Sequence, residues 1–156
     1  MCNLVTWSFR GIFFTTNTPL LQESPRLVKL LETMKIIQTE KMPQASGHYS
    51  QCIEHNGMLY ISGQLPGNPE MMPLPEDIES QTKIVLDKID LILNQAGSSR
   101  EKVIQMRIYI SDIELWNRVN SVYTRFYGEH KPVRCIVPTG RLHFGCLIEA
   151  EAVAYT

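Results

Sequence analysis

Cys146-Leu147-Ile148-Glu149-Ala150-Glu151-Ala152-Val153-Ala154-Tyr155 decides the architecture, because it alternates at the period of a β-strand. Ile148, Ala150, Ala152 and Ala154 fall on one face. They are apolar and mostly small, suited to lying beneath a helix. Leu147, Glu149, Glu151 and Val153 fall on the other face. Carboxylates inside a strand are costly to desolvate unless they are paired, hydrogen-bonded or turned toward a wet cleft. The same tension marks Pro132-Val133-Arg134-Cys135-Ile136-Val137, where a guanidinium stands among apolar residues. Charges of both signs in closing strands that read as neighbours predict a small site. Its client would carry a carboxylate for the arginine and a reacting centre near a glutamate.

Working outward, Pro132 and Pro138 bracket the arginine strand and predict an edge position. Upstream, Val103 to Ile110 alternates, with Ile104, Met106, Ile108 and Ile110 on one face. Gln51 to Glu54 and Met58 to Ser62 flank His55-Asn56-Gly57, and Asn-Gly is a strong hairpin signal. Gly63 to Pro75 reads as a loop. Ile78, Thr82, Val85, Ile89, Ile92 and Ala96 form the apolar stripe of a helix stopped by Gly97. Ser111-x-x-Glu114 reads as a capping box opening a second helix. Its stripe is Trp116, Val119, Tyr123 and Phe126, and Gly128 ends it.

The order β-β-α-β-α-β-β implies an α+β fold, a mixed sheet with two helices packed on one face. The uncovered face would then carry Tyr109, Ile136, Leu147 and Val153, a poor surface for solvent. Burial against further copies of the chain resolves this, so a homo-oligomer with sites near its interfaces is expected.

The 156 residues suit one ordinary domain, and 44% hydrophobic with 20% charged content is that of a globular protein. A net charge of -1 supplies no basic field to recruit nucleic acid, and no apolar run is long enough to span a membrane. Cys2, Cys52, Cys135 and Cys146 form no CxxC pair or Cys/His cluster. They read as reduced thiols in a cytosolic-type compartment, without a metal. Cys135, beside Arg134, would be a reactive thiol if exposed; a small buried hydrophobe is the favoured reading.

Residues 1–33 read as an N-terminal extension of uncertain role, and residues 34–156 as the single domain. Met1 to Pro19 carries only Arg10 as a charge and lacks the layout of a secretory signal. A degenerate organellar presequence and an upstream mis-assigned start both stay open, since Met34-Lys35-Ile36-Ile37 looks like a natural beginning. Ser24 to Met34 would form a short helix with Pro25 at its first position. The expected location is the cytoplasm.

Arg134 offers a planar, permanently charged fork that fits a carboxylate bidentately. A structural ion pair with Glu149 or Glu151 weighs equally. Glu149 and Glu151 lie two apart on one face, so repulsion and burial can raise either pKa and make a general base. Alternatively, one pairs with Arg134 and the other with Arg107 or Arg141. Tyr49 and Ser62 sit at strand ends, where a phenol and a hydroxyl can hydrogen-bond a polar ligand. His48, His55, His130 and His143 are scattered and assemble no recognisable triad.

In their order, Gly47-x-Tyr49, Ser62-Gly63-Gln64-Leu65-Pro66, Val119-Asn120-x-x-Tyr123, Pro132-x-Arg134 and Ile148-Glu149-Ala150-Glu151-Ala152 resemble the reactive intermediate deaminase family. That family is also called YjgF/RidA or endoribonuclease L-PSP, and the resemblance spans Met34 to Tyr155. It implies a chorismate-mutase-like subunit in a homotrimer with clefts between subunits. The implied activity is hydrolysis of 2-imino or enamine acids, such as 2-aminoacrylate, to 2-keto acids and ammonia, without metal or organic cofactor. By the same resemblance Arg134 holds the substrate carboxylate and Glu149 manages the attacking water. Tyr49, lent by an adjacent subunit, closes the cleft, with Ser62 and Asn120 as polar lining.

This chain departs from the founding branch at three places. His48 replaces a proline before the tyrosine, Ile136 replaces a cysteine two positions after the arginine, and 128–132 is shorter. The other readings are a non-enzymatic keto-acid-binding or chaperone-like trimer, a ribonuclease or translation inhibitor, and a chorismate-mutase-like isomerase.

Overall fold

The computed structural model describes residues 34–45, 47–67 and 73–156, together with strands β1 (Trp7–Phe9) and β2 (Ile12–Phe14). The chain divides into two compact units, Met1–Glu32 and Thr33–Thr156. In the first, β1 and β2 pair antiparallel, with Trp7 opposite Phe14. The sequence reading assigned no element there. The helix expected at 24–34 lies, apart from Met34, outside the described residues.

The second unit runs β3 (Lys35–Ile37), β4 (Cys52–His55), β5 (Met58–Gln64), α1 (Ile78–Gln95), β6 (Val103–Ile110), α2 (Trp116–Tyr127), β7 (Val133–Pro138) and β8 (Ile148–Tyr155). Its sheet order is β3-β4-β5-β8-β6-β7, antiparallel except for the β6–β7 pair. This is the expected mixed sheet with two helices, with β3 added at one edge and the proline-bracketed β7 at the other. Asn56 (φ 53°) and Gly57 (φ 76°) turn the β4–β5 hairpin with both residues left-handed, as a two-residue turn of this hand requires.

Ile148, Ala150, Ala152 and Ala154 are all buried, in one core cluster with Val85, Ile89 and Ile92 of α1. Truncating Ile89 to alanine there would cost about 2–5 kcal/mol. The Asp77 carboxylate caps α1 by accepting from the Ser80 N–H at 2.7 Å. Buried Gln81 then latches the helix to the closing strand: its Oε1 accepts from the Leu147 N–H at 2.8 Å, while Nε2 donates to the Pro75 carbonyl at 2.7 Å. That latch fixes the start of β8, two residues before Glu149.

Several local expectations change. A register shift between Val103 and Gln105 puts Val103 into the core and leaves Ile104 exposed. Ser111 does not cap α2. Asp112 accepts from the Glu114 N–H at 3.0 Å and starts a short 3-10 turn that leads into the helix. Trp116 and Phe126 are only partly buried, and Val122 and Tyr127 join Val119 and Tyr123 on the covered stripe. Ile136 pairs with core residue Ile108 and lies on the helix-covered face, not the open one. The exposed β7 residues on the open face are Val133, Cys135 and Val137, so Cys135 is an exposed thiol rather than a buried hydrophobe.

Candidate active site

Between Ile61 and Gln64 the β5–β8 ladder slips, so Ser62 and Gly63 together oppose Glu151 alone. A bulge of this kind redirects side chains. Here it opens the strand beside Glu149, whose carboxylate folds over Gly63 so closely that any β-carbon there would collide with Oε1. Only glycine at that position leaves the carboxylate room to rest where it does.

Glu149 is half-buried and, among the described residues, accepts no hydrogen bond. Burial pushes its pKa up, the neighbouring Glu151 adds to that, and His143 partly opposes it. Glu151 behaves differently: it takes the Arg107 guanidinium at 3.0 Å and the Tyr109 hydroxyl at 3.1 Å. One carboxylate is neutralised within the open face, and the other is left to act.

Glu149 shares a cavity of about 600 Å³ with Tyr49, Ser62, Gly63, Lys88, His143 and Phe144. Its floor is tied down by buried amides. The Ser62 hydroxyl donates to the Gln51 carbonyl at 3.1 Å and accepts from Gln64 Nε2 at 3.2 Å. Gln51 in turn accepts from the Thr39 N–H at 3.0 Å and donates to the Pro43 carbonyl at 3.1 Å. Tyr49 stands at the rim, 52% exposed, its ring folded over Gly47. Lys88 reaches in from α1, donates to the Leu65 carbonyl at 2.7 Å, and has its pKa lowered by burial.

Arg134 lies elsewhere. It pairs with Met106 across the β6–β7 ladder, which puts it on the helix side of the sheet. Its guanidinium carbon stacks 4.5 Å from the Tyr123 ring centre and 5.7 Å from that of Trp116. Among the described residues it has no ion pair. With Asn120, Tyr123, Tyr127, His130 and Lys131 it lines a second cleft of about 380 Å³. Burial raises the Tyr123 pKa to about 12, against the pull of Arg134.

Tyr49, Ser62 and Glu149 therefore meet in one cavity, and Asn120 and Arg134 in another. The sequence reading treated the arginine and glutamate strands as neighbours. In the sheet β6 separates β7 from β8, and alternation sends Arg134 and Glu149 to opposite faces. The alternative Arg134–Glu ion pair is not formed; Arg107 takes Glu151 instead. His143, Phe144 and Lys88 are cavity residues that sequence reasoning missed. Lys88 gave no signal beyond a polar position on a helix. His143-Phe144 could have drawn attention by standing just ahead of the glutamate strand.

Among the described residues no helix is long and apolar enough to cross a membrane, and no cluster of three or more His, Cys, Asp or Glu is placed to hold a metal ion.

The family profile described as Endoribonuclease L-PSP matches residues 39–156. A RutC family protein of Pyrococcus abyssi is 39% identical over 122 residues, covering 78% of this chain and 96% of the relative. TdcF of Escherichia coli strain K12, whose full name is "Putative reactive intermediate deaminase TdcF", is 34% identical over 123 residues, covering 77% of this chain and 95% of the relative. The crystal structure of TdcF with bound serine superposes with a TM-score of 0.73, covering 78% of this chain and 98% of that one. YyfA of Yersinia pestis, of the conserved Rid family, is 40% identical with a TM-score of 0.74, covering 80% of this chain and all of that one. The bulge over which Glu149 folds, the stacked Arg134 and the motif order thus sit on a chain that belongs to the reactive intermediate deaminase (YjgF/RidA, endoribonuclease L-PSP) family.

Proposed function

We propose that this chain hydrolyses reactive 2-imino or enamine acids, such as 2-aminoacrylate, to 2-keto acids and ammonia. One observation carries the reading: Glu149 is a half-buried carboxylate with a raised pKa, no hydrogen-bond donor among the described residues, and open cavity in front of it. Such a group is suited to take a proton from water. An imine carbon is already electrophilic, so positioning a water and stabilising developing charge suffice.

Arg134 supplies the carboxylate clamp. Stacking on Tyr123 holds its fork in place without a protein carboxylate competing for it, and that leaves the guanidinium for a ligand. Because Arg134 and Glu149 occupy different clefts of one chain, one substrate can reach both only if the clefts of two copies abut. We therefore propose that the sites lie between subunits, in the homotrimer that the resemblance to the family implies. One copy gives Tyr49, Ser62 and Glu149, and its neighbour gives Asn120 and Arg134. The open sheet face, with Tyr60 50% exposed and Val133 63% exposed, supports such an assembly. The serine bound to TdcF supports a small carboxylate ligand.

The test is a coupled assay in which a serine or threonine dehydratase generates the imine while semicarbazide competes for it. Faster keto-acid release with this protein, lost in Arg134→Ala, is the expected result. No effect of the wild-type protein on either imine sinks the reading.

A further inference from the structure

His143 stands on the turn that feeds β8 and lines the same cavity as Glu149, Tyr49 and Ser62. The turn has an unusual backbone. Phe144 adopts φ 59°, a left-handed conformation that a bulky side chain seldom takes, and Gly145 follows at φ 74°. The result is that the Phe144 ring packs against the imidazole, with ring centres 3.8 Å apart. Strained backbone of this kind persists where the surrounding structure over-determines it, and it concentrates at functional sites. Here it stacks an exposed histidine against Phe144 at the wall of a cavity that already holds a carboxylate unpartnered among the described residues.

Hydrolysis of an imine needs an acid as well as a base. As water adds to the imine carbon, the C=N electron pair moves to nitrogen, which must take a proton to become an amine. The other groups around the cavity are poorly suited. Lys88, from α1, has its ammonium anchored by the hydrogen bond it donates to the Leu65 carbonyl. The Cys146 thiol, on the turn itself, is buried, and burial raises its pKa. Glu151, beyond Glu149 on β8, is held by Arg107 and Tyr109. Tyr49 stands at the rim with its ring folded over Gly47, and Arg141, on the approach to the turn, does not line the cavity. His143 is the imidazole that lines this cavity beside Glu149.

We propose that His143 is the acid of the site, handing a proton to the substrate nitrogen while Glu149 takes one from the attacking water. The proposal rests on the deaminase reading above. In the first step the water oxygen bonds to the imine carbon and the C=N electron pair moves to nitrogen. Protonated His143 supplies the nitrogen's proton and Glu149 receives one from the water, which gives a neutral carbinolamine. In the second step Glu149 passes its proton to the amino group and the C–N bond breaks. The hydroxyl proton returns to His143 as the carbonyl forms. Imine and water have become keto acid and ammonia, and both side chains are restored.

The experiment is the coupled assay run on full-length wild type, His143→Phe and His143→Ala, the last with and without free imidazole in the buffer. His143→Phe keeps a flat ring against Phe144 and removes the ring nitrogens that carry the proton. The expected outcome is a fall in kcat on the order of 100-fold in both variants with KM for the imine little changed. Imidazole should restore part of the rate in His143→Ala, which a purely structural residue would not allow. Wild-type turnover in His143→Phe, or an Ala variant indifferent to imidazole, overturns the acid role and leaves the deaminase reading standing. No acceleration by the wild-type protein overturns both.

Discussion

Gly63 lies directly beneath the Glu149 carboxylate, so closely that a β-carbon on residue 63 would overlap Oε1. The bulge in β5 therefore does more than end a ladder: it clears the space in which the carboxylate rests. Gly63→Ala would force Glu149 out of the cavity while leaving the core beneath it untouched. We expect kcat/KM for imine hydrolysis to fall on the order of 100-fold, since misplacing a reacting group by about 1 Å has that effect. Circular dichroism and thermal melting should show a folded protein. Near-wild-type turnover would mean that the observed position of Glu149 is not the working one.

Titration of Glu149 gives a second expectation, and its sign follows from linkage. Its folded pKa stands above the unfolded value, so the native state holds the proton more tightly. Its contribution to stability is therefore best below the ordinary carboxylate range. It declines as pH rises through the raised value and is flat above that. Glu149→Gln removes the charge whose burial is unfavourable. The variant should melt higher than wild type at neutral pH, with the two curves converging in acid, while its hydrolytic activity is lost. In wild type the acid limb of kcat/KM should lie above the usual glutamate value of about 4.3. Equal melting temperatures at neutral pH would show that the charge is already well solvated.

How much of this was legible beforehand depends on the kind of signal. The alternation in β8, the Asn56-Gly57 turn and the stripe of α1 are local patterns, and each produced its element. The order of the sheet is not local. Nothing in β7 or β8 announces that β6 inserts between them, so Arg134 and Glu149 read as neighbours and are not. Ile104 was misplaced because one slip between Val103 and Gln105 inverts strand parity, and Ile136 because its face is set by its pairing with Ile108, which β7 alone does not announce. Glu149, Ser62 and Tyr49 were found because their chemistry is odd for strand positions or because they resembled a family motif. His143 was not, because its placement depends on the φ of Phe144, which no sequence pattern encodes.

Tyr123 and Tyr127 bury their hydroxyls without a partner among the described residues, their rings 4.6 Å apart. Leaving a buried hydroxyl unsatisfied costs about 1–3 kcal/mol, whereas deleting it keeps the ring contacts with Tyr123 and Phe126. Tyr127→Phe is therefore expected to stabilise the chain by about 1 kcal/mol, read as a higher urea midpoint at unchanged m-value. A lower midpoint would show that the phenol has a partner, with a neighbouring copy of the chain the first place to look.

The division of the site between two clefts yields the most direct prediction. Arg134→Ala and Glu149→Gln should each be inactive as pure proteins. If Arg134 of one copy serves Glu149 of the next, unfolding the two variants together and refolding them should restore activity. In a cyclic trimer of mixed composition, one interface brings an intact arginine to an intact glutamate. Random assembly from equal amounts then regenerates about a quarter of the wild-type sites. The same variants mixed without exchange of subunits should stay inactive, which guards against contamination. Light scattering on the refolded mixture fixes the number of copies. No recovery in a mixture shown to contain hybrid oligomers would place the arginine and the glutamate of a working site on the same chain, and the interfacial site would have to be abandoned.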